Sequence, residues 1–223
     1  MKGLWGSING SHLLRAQTLW YPYTASPRNL LWPLIRGRHR HVSLCVRVFE
    51  GLQAVSSLGL ERQSGSTVCW EGSEASPVDL VIARFREESE DVFANIHLKA
   101  YSVVDGGASS SLRAVVTALE AYESLGLPLD IIDRLNIVVI GGSGGFQVDH
   151  LISLDVEHLA NNIVLLANTL HELAHIWISS TLKPERPEDL WLSEALPDFL
   201  MVRALQTLGY SETAQRIISK NST

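Results

Sequence analysis

The stretch "NTLHELAHIWIS", residues 168–179, sets two imidazoles and a carboxylate inside an apolar run. Burial of such groups is costly unless each finds a partner. His171 and His175 are four residues apart, so on a helix they stack on one face and present themselves to a single ion. Glu172 stands beside His171 but turned partly away, where it reaches a water on that ion rather than the ion itself. Residues 162 to about 180 are apolar nearly all round, which predicts a helix in the middle of a domain. The plain alternative is a pair of satisfied helix histidines without a metal.

A catalytic zinc site takes three protein ligands and a water, so the pair needs a third donor from another element. Glu194 supplies one, following His175 after eighteen intervening residues in "DLWLSEALPDFL". A helix, a reversing loop containing "KPERP" and a second helix return its carboxylate to the same point. Asp198, four residues on, shares the helical face of Glu194 and can accept the second N–H of a ligand histidine, fixing its tautomer. Its other reading is an acid near a helix N-terminus, favoured by the dipole. The second helix is expected from about Asp189 to Leu208, ended by Gly209. Pro197 lies either in a first turn starting near Ser193 or at a kink.

Upstream, the first hundred residues read as strands. "HVSLCVRVFE" alternates Val42, Leu44, Val46 and Val48 against polar neighbours. "VDLVIARF" and "FANIHLKAYSVV" look similar, and "VDGGASSS", 104–111, reads as a linker. A helix follows from Leu112 to Leu125, capped by Ser110 or Ser111 and stopped by Gly126 and Pro128. "LNIVVI", 135–140, reads as a buried strand, and "GGSGG", 141–145, as a loop or strand edge with close backbone approach. The fold class is therefore α+β: a β-rich part over residues 1–105 followed by a helix-bearing lobe over 106–223.

With 46% hydrophobic and 19% charged residues the chain has ample material for a core. A net charge of −6 gives no reason to expect nucleic acid as a partner. The one basic cluster, "RGRHRH" at 36–41, reads as a solvated turn between strands. Cys45 and Cys69 read as free or buried thiols, with a single bridge left open. No signal peptide and no membrane segment are seen, which makes a cytoplasmic protein the expectation.

The string "HELAHIWIS…DLWLSEALPDF" resembles the gluzincin zinc metallopeptidases of the membrane alanyl aminopeptidase type. Their hallmark is His-Glu-x-x-His, an eighteen-residue gap, then Glu in a Trp-Leu-Asn-Glu-like string, here Trp191, Leu192, Ser193 and Glu194. The spacing of Asp198 is similar to the thermolysin branch of that clan. "ALEAYESLGLPLDIIDRLNIVVI", "LWYPYTASP" and "GLQAVSSLG" carry a weaker likeness. The resemblance implies a partial β-domain over 1–105 and a thermolysin-like catalytic lobe over 106–223. It implies one zinc ion per chain on His171, His175 and Glu194. Glu172 is then the general base, taking a proton from zinc-activated water and returning it to the leaving amine of a peptide substrate.

The pattern also departs from the family. Where its aminopeptidases carry a glutamate that grips the free amino terminus, "GGFQV" places Gln147, beside Gly144 and Gly145, which let a substrate backbone lie alongside. The family's transition-state tyrosine has no counterpart, since residues 195–223 contain only Tyr210, which reads as surface packing after Gly209. Two functional readings follow: an aminopeptidase-like zinc peptidase, or a truncated or split domain that binds zinc and needs a partner subunit or a missing C-terminal region for turnover.

Overall fold

The computed structural model describes residues 6–8, 11–14, 39–75, 78–181, 189 and 191–220. It is α+β, built in layers whose order follows from which strand faces are apolar. Strands β1 (Gly6–Ile8), β2 (Ser11–Leu14), β4 (Gln53–Ser56) and β7 (Leu80–Ala83) form one sheet in the order β1-β2-β7-β4. A second sheet runs β3 (His39–Arg47), β6 (Thr67–Ala75), β5 (Leu60–Ser64). The third contains β8 (Glu87–Phe93), β9 (Ile96–Ser102), β10 (Arg134–Ile140), β11 (Phe146–Val148) and β12 (Leu151–Asp155), in the order β11-β12-β10-β9-β8. The helices are α1 (Gly107–Ser124), α2 (Asn162–Thr181), α3 (Leu192–Thr207) and α4 (Ser211–Lys220), with a 3-10 turn at Val156–Ala160.

The alternation expected of residues 42–48 is present: Val42, Leu44, Val46 and Val48 pack inward with Trp70 and Leu80, while Ser43, Cys45 and Arg47 are exposed. Strand β7 differs because both its faces are covered. Leu80 and Ile82 join the cluster under β3 and β6, and Val81 joins Val55, Val138, Phe146 and Leu151 beneath the five-stranded sheet. On the other face of that sheet Ile137, Val139, Ile152 and Leu154 meet α1, α2 and α3 in the largest core. Strand β10 is central, parallel to both β9 and β12, as its unbroken apolar run suggests. The five-stranded sheet takes β8 and β9 from before residue 105 and its other strands from after it.

Several local expectations are corrected. "FANIHLKAYSVV" is not one strand: Ala94 and Asn95 take positive φ and turn the chain between β8 and β9. "VDGGASSS" is not a linker, because α1 starts at Gly107. Neither Ser110 nor Ser111 caps it. Glu87 on β8 does so instead, its two carboxylate oxygens each accepting at 3.2 Å from the N–H groups of Ala108 and Ser109, and the Ser109 hydroxyl also donating to it. Helix α3 begins at Leu192 rather than Asp189, with Pro197 inside it, and α4 follows the Gly209 turn. His39–His41 open β3 rather than forming a turn. Residues 36–38, "LWYPYTASP" and "KPERP" lie outside the described residues.

The cysteines are not free thiols. Cys45 and Cys69 face each other across β3 and β6, their Cα atoms 4.0 Å apart, and are joined in a disulfide. Such bonds persist chiefly in oxidising compartments. Among the described residues no helix is long and apolar enough to cross a membrane.

The Glu87 cap has a measurable signature. The Ser109 hydroxyl, against the opposing effect of burial, holds the Glu87 carboxyl below its ordinary value of 4.5, with the N–H groups of Ser109 and Ala108 adding to the effect. A depressed carboxylate stabilises the fold above its unfolded pKa and loses that contribution as pH falls through the folded one. Glu87→Ala should cost about 1 kcal/mol in urea denaturation at pH 7, and the difference from wild type should shrink on acidification below pH 4.5.

Candidate metal centre

Helix α2 starts where the Asn161 side-chain oxygen accepts from the N–H groups of Ile163 and Val164, at 2.9 and 3.3 Å. Its path is pinned at two further points. The buried Tyr122 hydroxyl donates to the Leu170 carbonyl at 2.5 Å, and Trp177 Nε1 donates to the Pro128 carbonyl at 2.8 Å. Leu170, Leu173, Ala174 and Trp177 then point into the core, which leaves His171 and His175 on the side that faces α3.

There Glu194, in the first turn of α3, closes a triangle of donors. His171 Nε2 lies 3.2 Å from His175 Nε2 and 3.3 Å from Glu194 Oε2, and His175 Nε2 lies 3.6 Å from the same oxygen. A tetrahedral zinc ion with ligands at about 2.0–2.1 Å needs donor separations of about 3.3–3.4 Å. The three residues together can hold a metal ion. Their donor set, two imidazoles and one carboxylate, is also one that suits zinc.

Tautomer chemistry points the same way. His171 Nδ1–H donates to Asp198 Oδ1 at 2.8 Å, one helical turn beyond Glu194. With its proton held there, neutral His171 turns a lone pair on Nε2 toward His175 and Glu194. Those facing groups repel one another unless a hydrogen or a cation lies between them. In the metal-free chain protons meet this need. Burial lowers the His171 pKa, but Glu194, Glu172 and Asp198 outweigh it and raise the pKa above the ordinary 6.5. The two imidazoles in turn hold Glu194 well below the usual carboxylate range. The raised histidine stabilises the metal-free fold most fully below pH 6.5 and loses that contribution as pH rises through its folded value.

Glu172 is 7% exposed, and its carboxylate sits against the glycine loop. A Cβ at Gly145 would lie 2.6 Å from Glu172 Oε1, and Gly145 has φ +84, so both space and backbone demand glycine there. The loop crosses the end of β12, where Gly144 N–H donates to Asp155 Oδ2 at 3.3 Å. Gly144 touches no side chain that a Cβ would displace. Phe146 points to the core beneath the sheet, so Gln147 points to the opposite face, that of the helices. Its Nε2 donates to the Asp149 carbonyl at 2.7 Å. Tyr210 closes the turn after α3 through its backbone, N–H to the Leu205 carbonyl, and is 38% exposed.

The contacts that sequence reasoning missed are those of Glu172 with Gly145 and of Tyr122 with Leu170. Neither leaves a local signal, since the partners are 27 and 48 residues apart. Two outcomes follow. Asp198→Ala should weaken metal binding, with zinc as the probe, about 10- to 100-fold in a chelator competition while the circular dichroism spectrum stays unchanged. Gly145→Ala should displace Glu172 and lower thermal stability, whereas Gly144→Ala, strained in backbone alone, should cost less. No model of a known protein family matches the chain, and no curated protein matches it in sequence.

Proposed function

We propose that this protein is a zinc-dependent metallopeptidase, with His171, His175 and Glu194 as ligands and Glu172 as general base. The observation that carries the reading is the donor triangle, with edges of 3.2, 3.3 and 3.6 Å, beside a buried carboxylate that is not part of it. When bound, zinc supplies a Lewis acid that acidifies water and polarises a carbonyl. Glu172 takes the proton of the attacking water onto its carboxylate and delivers it to the departing amine nitrogen, as the C–O bond forms and the C–N bond breaks. Asp198 keeps the His171 proton on Nδ1 throughout.

Strand β11 lies at the edge of its sheet and continues from the glycine loop that covers Glu172. An extended peptide pairing with that edge would pass beside the general base. Gln147 on β11 offers a neutral amide, which supports aminopeptidase-like binding of a terminal ammonium only weakly, without a charge-assisted bond. A second reading has its own observation. Phe199 on α3 and Ile218 on α4 are 59% and 40% exposed, which favours a zinc-binding domain that completes its cleft with a partner subunit.

The test is metal content followed by hydrolysis. Purified protein should carry one zinc per chain, lost in His175→Ala. Glu172→Gln should keep the zinc and lose at least a hundredfold in peptide hydrolysis, the scale of a general base. Hydrolysis that persists in Glu172→Gln removes Glu172 from its role. Zinc without hydrolysis in the wild-type chain selects the second reading.

A further inference from the structure

The described tryptophans have contrasting environments. Trp70 is 0% exposed with its Nε1 donating to Glu61, and Trp177 is 5% exposed with its Nε1 donating to Pro128. Trp191 is 63% exposed. An indole is the largest apolar side chain, and leaving one open to water forgoes more burial than any other residue would. Its place in the fold gives this exposure a meaning. Trp191 is the cap residue of α3 with helical backbone angles, φ −60 and ψ −25, and its carbonyl accepts from the N–H groups of Glu194 and Ala195 at 3.2 and 2.9 Å.

At about 100° per residue, Trp191, Glu194 and Asp198 fall within about 60° of one another around the helix. Glu194 and Asp198 are the two residues of that stripe that meet His171. The stripe therefore runs from the donor triangle to an open indole without leaving one helix face. Glu194 itself is 68% exposed at its side chain, whereas His171 and His175 are 21% and 13% exposed. Glu194, on the stripe that bears Trp191, is thus the solvent-facing member of the triangle. Phe199, the other exposed aromatic of α3, is turned about 140° from Glu194 and lies off this stripe.

We propose that Trp191 is a specificity-determining residue of the metal site, its indole receiving an aromatic or large apolar side chain on the substrate residue next to the bond acted on. The proposal rests on the metallopeptidase reading and names its substrate class. Aromatic and apolar side chains gain by covering an exposed indole face, whereas a glycine at that position offers it nothing. The neighbouring carboxylates Glu194 and Asp198 disfavour an acidic side chain at the same place.

The experiment measures binding rather than turnover. The zinc-reconstituted full chain is titrated by calorimetry with phenylalanine hydroxamate and with glycine hydroxamate, which share one metal-chelating group and differ in side chain. Wild type should bind the phenylalanine compound about tenfold more tightly. Trp191→Ala should lose that preference while keeping its zinc and its affinity for glycine hydroxamate. Trp191→Phe should retain part of the preference, and Phe199→Ala should retain all of it. Equal binding of the two compounds by wild type, or a preference that survives Trp191→Ala, overturns the role of Trp191 and leaves the metal site standing. A zinc-reconstituted chain that binds neither compound overturns the metallopeptidase reading and Trp191 with it.

Discussion

Two imidazole nitrogens 3.2 Å apart, with a carboxylate oxygen completing the triangle, cannot rest together without a hydrogen or a cation between them. One His171 proton is committed to Asp198, so the inner nitrogens share either a further proton or a metal. This constraint organises the α2–α3 pair. Without it, the apolar face of α2 would gain nothing from imidazoles at two successive turns, and Glu194 would have no reason to stand over them. Replacing such a cluster by apolar residues often stabilises a fold, so its presence speaks for chemistry more than for stability.

The rest of the molecule holds that pair in place. The five-stranded sheet gives α1 and α2 an apolar floor through Ile137, Val139, Ile152 and Leu154. Glu87 reaches from an edge strand to start α1, and Tyr122 near the end of α1 fixes the turn of α2 that carries His171. A chain of contacts thus runs from strand edge to helix cap to buried hydroxyl to ligand. Each link is a polar group with a defined partner, which makes the chain directional where apolar packing alone would not be.

What could be read from the sequence was what the 3.6-residue and two-residue periods encode. The His171–His175 face, the inward side of β3 and the buried run of β10 all follow from local spacing. The return of Glu194 to the histidines depended on two helices and a reversal, and was legible because the pair needs a third donor and Glu194 follows at the spacing of the string it resembles. What escaped was set by register or tertiary approach. Strand β8 alternates no apolar residues over Glu87–Asp91, so its edge position, where charge is tolerated, hid it. The Glu87 cap spans more than twenty residues in sequence, and local rules favour a serine. The disulfide required knowing that Cys45 is opposite Cys69 across β3 and β6. Gly145 announced a tight backbone but not that its missing side chain makes room for Glu172.

The unequal exposure of the cluster also argues for how it would work. On the proposed reading, a general base must meet water at the metal from a position shielded from bulk solvent. Glu172 is 7% exposed beneath Gly145, while Glu194 stands at the rim with most of its side chain in solvent. Two carboxylates near one site thus occupy opposite environments. The imidazoles hold Glu194 ionised and ready to bind a cation. Glu172 is shielded from bulk water by a loop whose glycine leaves just the space its carboxylate fills. A metal would reach the histidines past the exposed Glu194, and on the proposed reading a substrate taking the same approach would meet the buried Glu172 last.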